Sequence, residues 1–145
     1  MRFLLSVGER RLGSRSSLLL PLCGYLVPEG SQLAASAFAQ TGPLLDVGTG
    51  TGTGIWAFEM HALFPHALIV VGVDVSLQSL PQPVPPTCVF VRANVLEGLP
   101  FPDGQFTSTH QRLLVAAIPA QAWPGVVREL VRVTRPGGGI MSTRL

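Results

Sequence analysis

The chain has 145 residues, of which 47% are hydrophobic and only 12% charged, with a formal net charge of +2. That length fits one domain, and the balance excludes disorder in favour of a buried core. The small net charge, with ten scattered arginines and no lysine, excludes an extended nucleic-acid surface.

Residues 1–40 carry the least pattern and are expected to form a helical or irregular cap segment ahead of a core over 41–145. Arg10, Arg11 and Arg15 precede the apolar stretch Ser17–Val27, and Ala35-Ser36-Ala37 has the small residues of a cleavage site. A secretory leader is disfavoured, because its basic region would be long and Pro21 and Gly24 interrupt the apolar run. No apolar run reaches the roughly 18–20 residues of a membrane span. Cys23 and Cys88 lie far apart, with no CxxC and no HExxH, which suits two reduced thiols in a cytoplasmic protein without a metal site.

From residue 44 the pattern sharpens. Leu44–Val47 reads as a buried strand running into glycines. Thr53–Phe64 reads as a helix with Ile55, Phe58, Ala62 and Leu63 near helical spacing, stopped by Pro65. Ala67–Val75 is a continuous β-branched run, expected of a strand covered on both faces. Four prolines within 81–86 forbid a regular helix there. Cys88–Arg92 is a third strand, 96–104 a Pro/Gly loop, Phe106–His110 a fourth strand and Arg112–Ile118 a short helix. Gln121–Val133 is a stronger helix, with Trp123, Val126, Val127, Leu130 and Val131 predicted on its apolar face. Arg135–Gly139 reads as a turn, after which Ile140 begins a fifth strand. This alternation predicts an α/β fold: a Rossmann-like, doubly wound, mostly parallel sheet of about five strands. Ligands of such sheets bind beyond the carboxyl ends of the strands, where strand order reverses.

The strongest local signal is Asp46-Val47-Gly48-Thr49-Gly50-Thr51-Gly52, between a strand and a helix. Its glycines remove side chains where a ligand would approach backbone, and the following helix start offers N–H groups. A P-loop needs a lysine, and the chain has none. A dinucleotide fingerprint needs GxGxxG; counted from Gly48 the last position is Thr53, and from Gly50 it is Ile55. The spacing present is GxGxG, with an acid two residues ahead of it. A carboxylate there would repel a pyrophosphate and suit a ligand with a positive end, such as the sulfonium and ammonium of S-adenosylmethionine.

In order, DVGTGTG, Asp74 at a strand end, RANVLEGLPFPDGQF and RELVRVTRPGGG resemble the motifs of class I S-adenosylmethionine-dependent methyltransferases, in particular bacterial small-molecule methyltransferase domains. The resemblance covers residues 40–141. It implies S-adenosylmethionine as cofactor, a small-molecule substrate and in-line methyl transfer. It also implies cofactor contacts at Asp46, Gly48, Thr49, Gly50, Gly52, Asp74, Val75, Asn94 and Val95. Asp46 would hold the methionine ammonium, Asp74 the ribose hydroxyls, and Asn94 with Val95 the adenine. His110, past the fourth strand by this reading, would sit where cofactor meets substrate and is the candidate catalytic base.

Plainer roles stand beside these. Asp46 suits a turn, Asp74 suits capping the segment from Ser76, Asn94 suits a turn, and His110 suits a structural hydrogen bond. Trp56 and Trp123 are expected in packing, and Glu97 and Asp103 as solvated loop charges. The chain departs from the family in three ways. Thr107 stands where an aspartate is usual, Gly54 weakens the helix start, and the family's final β-hairpin is missing, leaving the fifth strand as an apolar edge through which a homodimer could form. A truncated or non-catalytic cofactor-binding module, or a nicotinamide-binding fragment, are the alternatives.

Overall fold

The computed structural model describes residues 42–50, 53–64, 69–78 and 80–143. The expected cap segment 1–40, the leader-like stretch, Cys23 and Gly52 lie outside the described residues.

Five strands form one sheet: β1 (Leu44–Val47), β2 (Val70–Asp74), β3 (Cys88–Arg92), β4 (Phe106–Arg112) and β5 (Thr134–Thr143). Their order is β3-β2-β1-β4-β5, and every pairing is parallel. Helix α1 (Ile55–Leu63) follows β1, and α2 (Trp123–Val133) precedes β5. The chain winds outward from β1 to β3, then returns to the other side of β1 with β4. The order therefore reverses between β1 and β4, the place where a crevice opens in open α/β sheets. This is the α/β, Rossmann-like architecture expected from the alternating pattern.

The period of two along each strand divides the core. Leu44 and Val70 turn toward α1 and pack with Trp56, Ala57, Met60 and Cys88. Leu45, Val47, Val71 and Val73 turn the other way, toward Val126, Leu130 and Val133 of α2. Covered on both faces, β1 and β2 need no polar alternation, which is why their sequences read as unbroken apolar runs.

Several details differ from the sequence expectation. On α1 the buried residues are Trp56, Ala57 and Met60, whereas Ala62 and Leu63 face outward. On α2, Val126, Leu130 and Val133 are buried, while Val127 and Val131 are 50% and 56% exposed. Strand β2 starts at Val70 rather than Ala67, and β4 runs two residues past His110. The expected helix over 112–118 is a single 3-10 turn, Leu114–Ala116. Arg135–Gly139 is no separate turn: it lies within β5, whose pairing with β4 slips between Phe106 and Ser108. Two steps along β4, Phe106 to Ser108, oppose five along β5, Thr134 to Gly139, so three extra residues are absorbed there as an irregularity in the ladder, a role glycine suits because it lacks a side chain.

Gly54, expected to weaken the start of α1, is required by its surroundings. Its φ is 60°, and a Cβ there would lie 2.7 Å from the ring of Phe90. Thr107 is buried, and its hydroxyl donates toward the carbonyl oxygens of Gly42 and Pro43 at 3.2 and 3.0 Å. It ties the start of β4 to the segment ahead of β1, a task an ionised aspartate, which can only accept, could not perform.

Candidate functional site

At the carboxyl ends of β1–β4 lies a cavity of about 500 Å³, within the range of small-molecule sites. Each described residue expected to touch a cofactor lines it. Asp46, Gly48, Thr49 and Gly50 come from the end of β1 and its loop, Asp74 and Val75 from the end of β2, and Asn94 and Val95 from the segment after β3. His110 and Arg112 of β4, with Leu113, Leu114, Ala117 and Ile118 beyond it, form the remaining wall.

The loop after β1 is held by its own backbone. The N–H groups of Gly48 and Thr49 both donate to the Val73 carbonyl, at 2.8 and 3.1 Å, and Gly54 N–H donates to the Thr49 carbonyl at 3.2 Å. Gly50 N–H donates to Asp74 Oδ2 at 3.1 Å. Among the described residues of the loop, the amides of Gly48, Thr49, Gly50 and Gly54 are thus engaged within the protein, unlike the free N–H groups of a phosphate cradle. Gly48, with φ 70°, lets Leu114 lie against the loop: a Cβ there would meet Leu114 Cγ at 2.9 Å.

Asp74 makes the capping contact open to it in the sequence and a second bond to the glycine loop. Its Oδ1 accepts from Ser76 N–H at 3.1 Å, the capping contact, while Oδ2 accepts from Gly50. Each oxygen keeps a further lone pair, so the carboxylate is fixed in place yet able to accept from a ligand. Asn94 is engaged in its own turn. Its Oδ1 accepts from Leu96 N–H at 3.1 Å and its Nδ2 donates to Glu97 Oε1 at 2.9 Å. Glu97, expected as a solvated charge, therefore helps hold this turn.

The centre of the site is a pair the sequence did not connect. Asp46 and His110 are cross-strand neighbours in the β1–β4 register. Asp46 Oδ1 lies 2.8 Å from His110 Nδ1, and both side chains are buried. A carboxylate only accepts, so Nδ1 carries the proton and donates. Trp56, at the start of α1, covers the imidazole in a stack with centroids 4.2 Å apart and planes 7° from parallel. His110 Nε2, Trp56 Nε1 and Thr49 Oγ1 are all buried without a hydrogen-bond partner among the described residues. Three unpaired polar atoms on residues lining one cavity are unusual, since buried polar groups are nearly always paired.

Sequence reasoning put Trp56 in the core and overlooked Arg112 and the Leu113–Ile118 wall. Arg112 could have been found from strand alternation, which sets it on the face of His110. Leu113 has φ 61°, an uncommon left-handed conformation for leucine, and this turns the chain from β4 into the wall. Cys88 is buried beneath α1, where loss of solvent pushes its thiol pKa up. Away from the cavity, Arg132 of α2 donates to Glu129, Asp103 and the carbonyl oxygens of Leu99 and Phe101, pinning the 99–103 loop. The Arg132 guanidinium, with Leu99 N–H, holds the Glu129 carboxyl below its ordinary range. Among the described residues no group of three His, Cys, Asp or Glu could hold a metal ion, and no helix is long and apolar enough to cross a membrane.

Comparison with known proteins follows the same outline. The family model described as "Methyltransferase domain" matches residues 44–138. Methyltransferase str3 of Strobilurus tenacellus is 31% identical over 111 residues, which cover 76% of this chain and 38% of that protein. Methyltransferase str2 of the same organism is 27% identical over 113 residues, covering 77% and 38%. Among solved structures, a geranyl diphosphate methyltransferase in complex with GPP and sinefungin superposes with a TM-score of 0.59 at 19% identity, over 78% of this chain and 42% of that one. That likeness concerns the fold. The chain spans about 38% of the length of these curated relatives.

Proposed function

Because the chain belongs to the methyltransferase-domain family, we propose that it binds S-adenosylmethionine across the carboxyl ends of β1–β4 and methylates a small-molecule acceptor. The observation that carries this reading is the Asp74 carboxylate, fixed at the end of β2 by Gly50 and Ser76 with lone pairs to spare. A carboxylate so held suits the paired hydroxyls of a ribose.

The residues present fit the cofactor in charge as well. Asp46 and Asp74 border the cavity, against one arginine, Arg112, and the described amides of Gly48, Thr49 and Gly50 are spent internally, which suits a phosphate-free nucleoside with a positive centre. Gly48 and Gly50 admit the ligand close to backbone. The turn held by Asn94 and Glu97 offers Val95 and Asn94 to the adenine; the Asn94 carboxamide uses one lone pair and one N–H within the turn and keeps one of each for a ligand. When bound, S-adenosylmethionine supplies a methyl group activated by its sulfonium. The protein's part is to hold methyl carbon, sulfur and acceptor in line and to exclude water. Such positioning is worth roughly 7–11 kcal/mol. The apolar wall of Leu113, Leu114 and Ala117 suits an acceptor with an apolar body.

Calorimetric titration with S-adenosylhomocysteine tests the reading. Folded wild-type protein should bind it, and Asp74→Ala should weaken binding by about 100-fold, as expected for losing two charge-assisted hydrogen bonds. Folded wild-type protein that gives no binding heat would remove the proposal.

A further inference from the structure

We propose that the segment after β4 seats the methyl acceptor and selects an acid-bearing molecule with an apolar body. Arg112 takes the acid group, and residues 113–117 take the body. The inference rests on the cofactor reading above and names the acceptor class for that same site.

Residues 113–120 (LLVAAIPA) hold no polar side chain, and burial does not explain this. Leu113 and Val115 are 46% and 50% exposed, and Ala116, Ala117, Pro119 and Ala120 are exposed as well. Ile118 is the buried member, anchored in the cluster that holds Val126 and Leu130 of α2. A run of consecutive exposed apolar residues is a liability in water unless it binds something. This run is continuous with the site, since Leu113, Leu114, Ala117 and Ile118 line the cavity. Its backbone is fixed: the N–H groups of Ala117 and Ile118 both donate to the Leu114 carbonyl, at 3.0 and 2.9 Å. Leu113 is held at φ 61°, a conformation leucine adopts only under constraint, so an exposed leucine is kept at the edge of the cavity at a cost in strain.

Arg112 opens this run. It is half-buried and lines the cavity, and among the described residues no hydrogen bond or ion pair engages it. The β1–β4 register ends with Val47 opposite Gln111, whereas Arg112 stands opposite Thr143 of β5. Arg112 thus lies beyond the last β1 pairing, on the far side of β1 from β2 and Asp74. The two acids of the cavity are engaged elsewhere: Asp74 accepts from Gly50 and Ser76, and Asp46 contacts His110. A guanidinium takes a carboxylate in a two-point contact, which gains strength where water is partly excluded. A cation with no protein partner, followed at once by exposed apolar side chains, matches a molecule whose acid group adjoins an apolar body.

Cinnamate and cinnamyl alcohol share one apolar body and differ in the acid group. Both are titrated by ligand-observed NMR against protein saturated with S-adenosylhomocysteine, so that the cofactor's own carboxylate already occupies any site it uses. Wild type should bind cinnamate about 10-fold more tightly than the alcohol. Arg112→Met should abolish that preference while leaving the alcohol and S-adenosylhomocysteine within about twofold of wild type. Leu113→Asn places a residue that tolerates positive φ and removes the apolar contact. It should weaken both cinnamyl probes by about 3- to 10-fold and spare S-adenosylhomocysteine. Retained S-adenosylhomocysteine binding also reports that each variant is folded. Equal binding of the two probes by wild type, an unchanged preference in Arg112→Met, unchanged probe binding in Leu113→Asn, or a parallel loss of S-adenosylhomocysteine in either variant overturns the inference and leaves the cofactor reading standing. A folded wild-type chain that binds no S-adenosylhomocysteine overturns both.

Discussion

Trp56 lies flat on His110, and the two rings seal the buried hydrogen bond between His110 and Asp46 from the α1 side. Trp56 is only 3% exposed, so its removal opens a large void beside a polar pair. Trp56→Ala should therefore cost about 3–5 kcal/mol of stability. Trp56→Phe keeps a ring in the stack and removes an indole N–H that has no partner, so its loss of volume is partly offset and should amount to less than about 2 kcal/mol. Urea unfolding of both variants checks this; equal losses would mean that the ring over His110 is unimportant.

Gly48 and Leu114 make a second tight contact, which can be separated into two parts. Gly48→Ala places a methyl into Leu114 and imposes φ 70° on alanine. The clash should cost about 1–3 kcal/mol and the backbone conformation about 1 kcal/mol. In a Leu114→Ala background the first part disappears and the second stays. A double-mutant cycle by chemical denaturation should therefore show coupling of at least about 1 kcal/mol. Additive losses would show that Leu114 moves aside freely.

The succession of strands along the chain was legible from apolar runs such as Val70–Val73, because a covered strand of this kind carries no polar residues to confuse the reading; β4 is buried too but polar, and the sheet order was not legible. Helix faces were not. In Ile55-Trp56-Ala57-Phe58 every side is apolar, so periodicity alone cannot choose, and the neighbouring strands decide that Trp56 and Ala57 go inward. On α2, Val127 and Val131 fit the helical spacing equally well but face away from the sheet. The slip within β5 was hidden because Pro136 and three glycines signal a turn, whereas they fall inside the strand, at and beside the register shift between Thr134 and Gly139. In the site, glycine spacing and strand ends pointed to the loop and to Asp74. The Asp46–His110 pair was illegible, since it depends on which strands become neighbours and in what register.

Cys88 gives a test of the core beneath α1. Burial raises its thiol pKa, and its Sγ points to the Ala57 carbonyl at 3.5 Å. Both factors keep it from attacking as thiolate. Peptide mapping after iodoacetamide treatment at mildly alkaline pH should find Cys88 unmodified in the folded protein and alkylated once urea unfolds it. Rapid alkylation without denaturant would show that α1 opens readily from the sheet.

The Glu129–Arg132 contacts predict a pH dependence confined to acid. Arg132 holds the folded-state pKa of Glu129 below its ordinary 4.5. The unfolded chain therefore takes up the proton first as pH falls. Ionised Glu129 contributes its full stability above the ordinary value, and that contribution is lost as pH drops through the lower, folded-state value. Glu129→Gln keeps an oxygen to accept from Leu99 N–H, a bond of 2.7 Å in the wild type, but loses the charge. Its melting temperature should lie below that of wild type at about pH 6–7, and the gap should close as pH falls below 4.5. A gap that stayed constant, or widened, on acidification would mean that the carboxylate charge does not hold the 99–103 loop to α2.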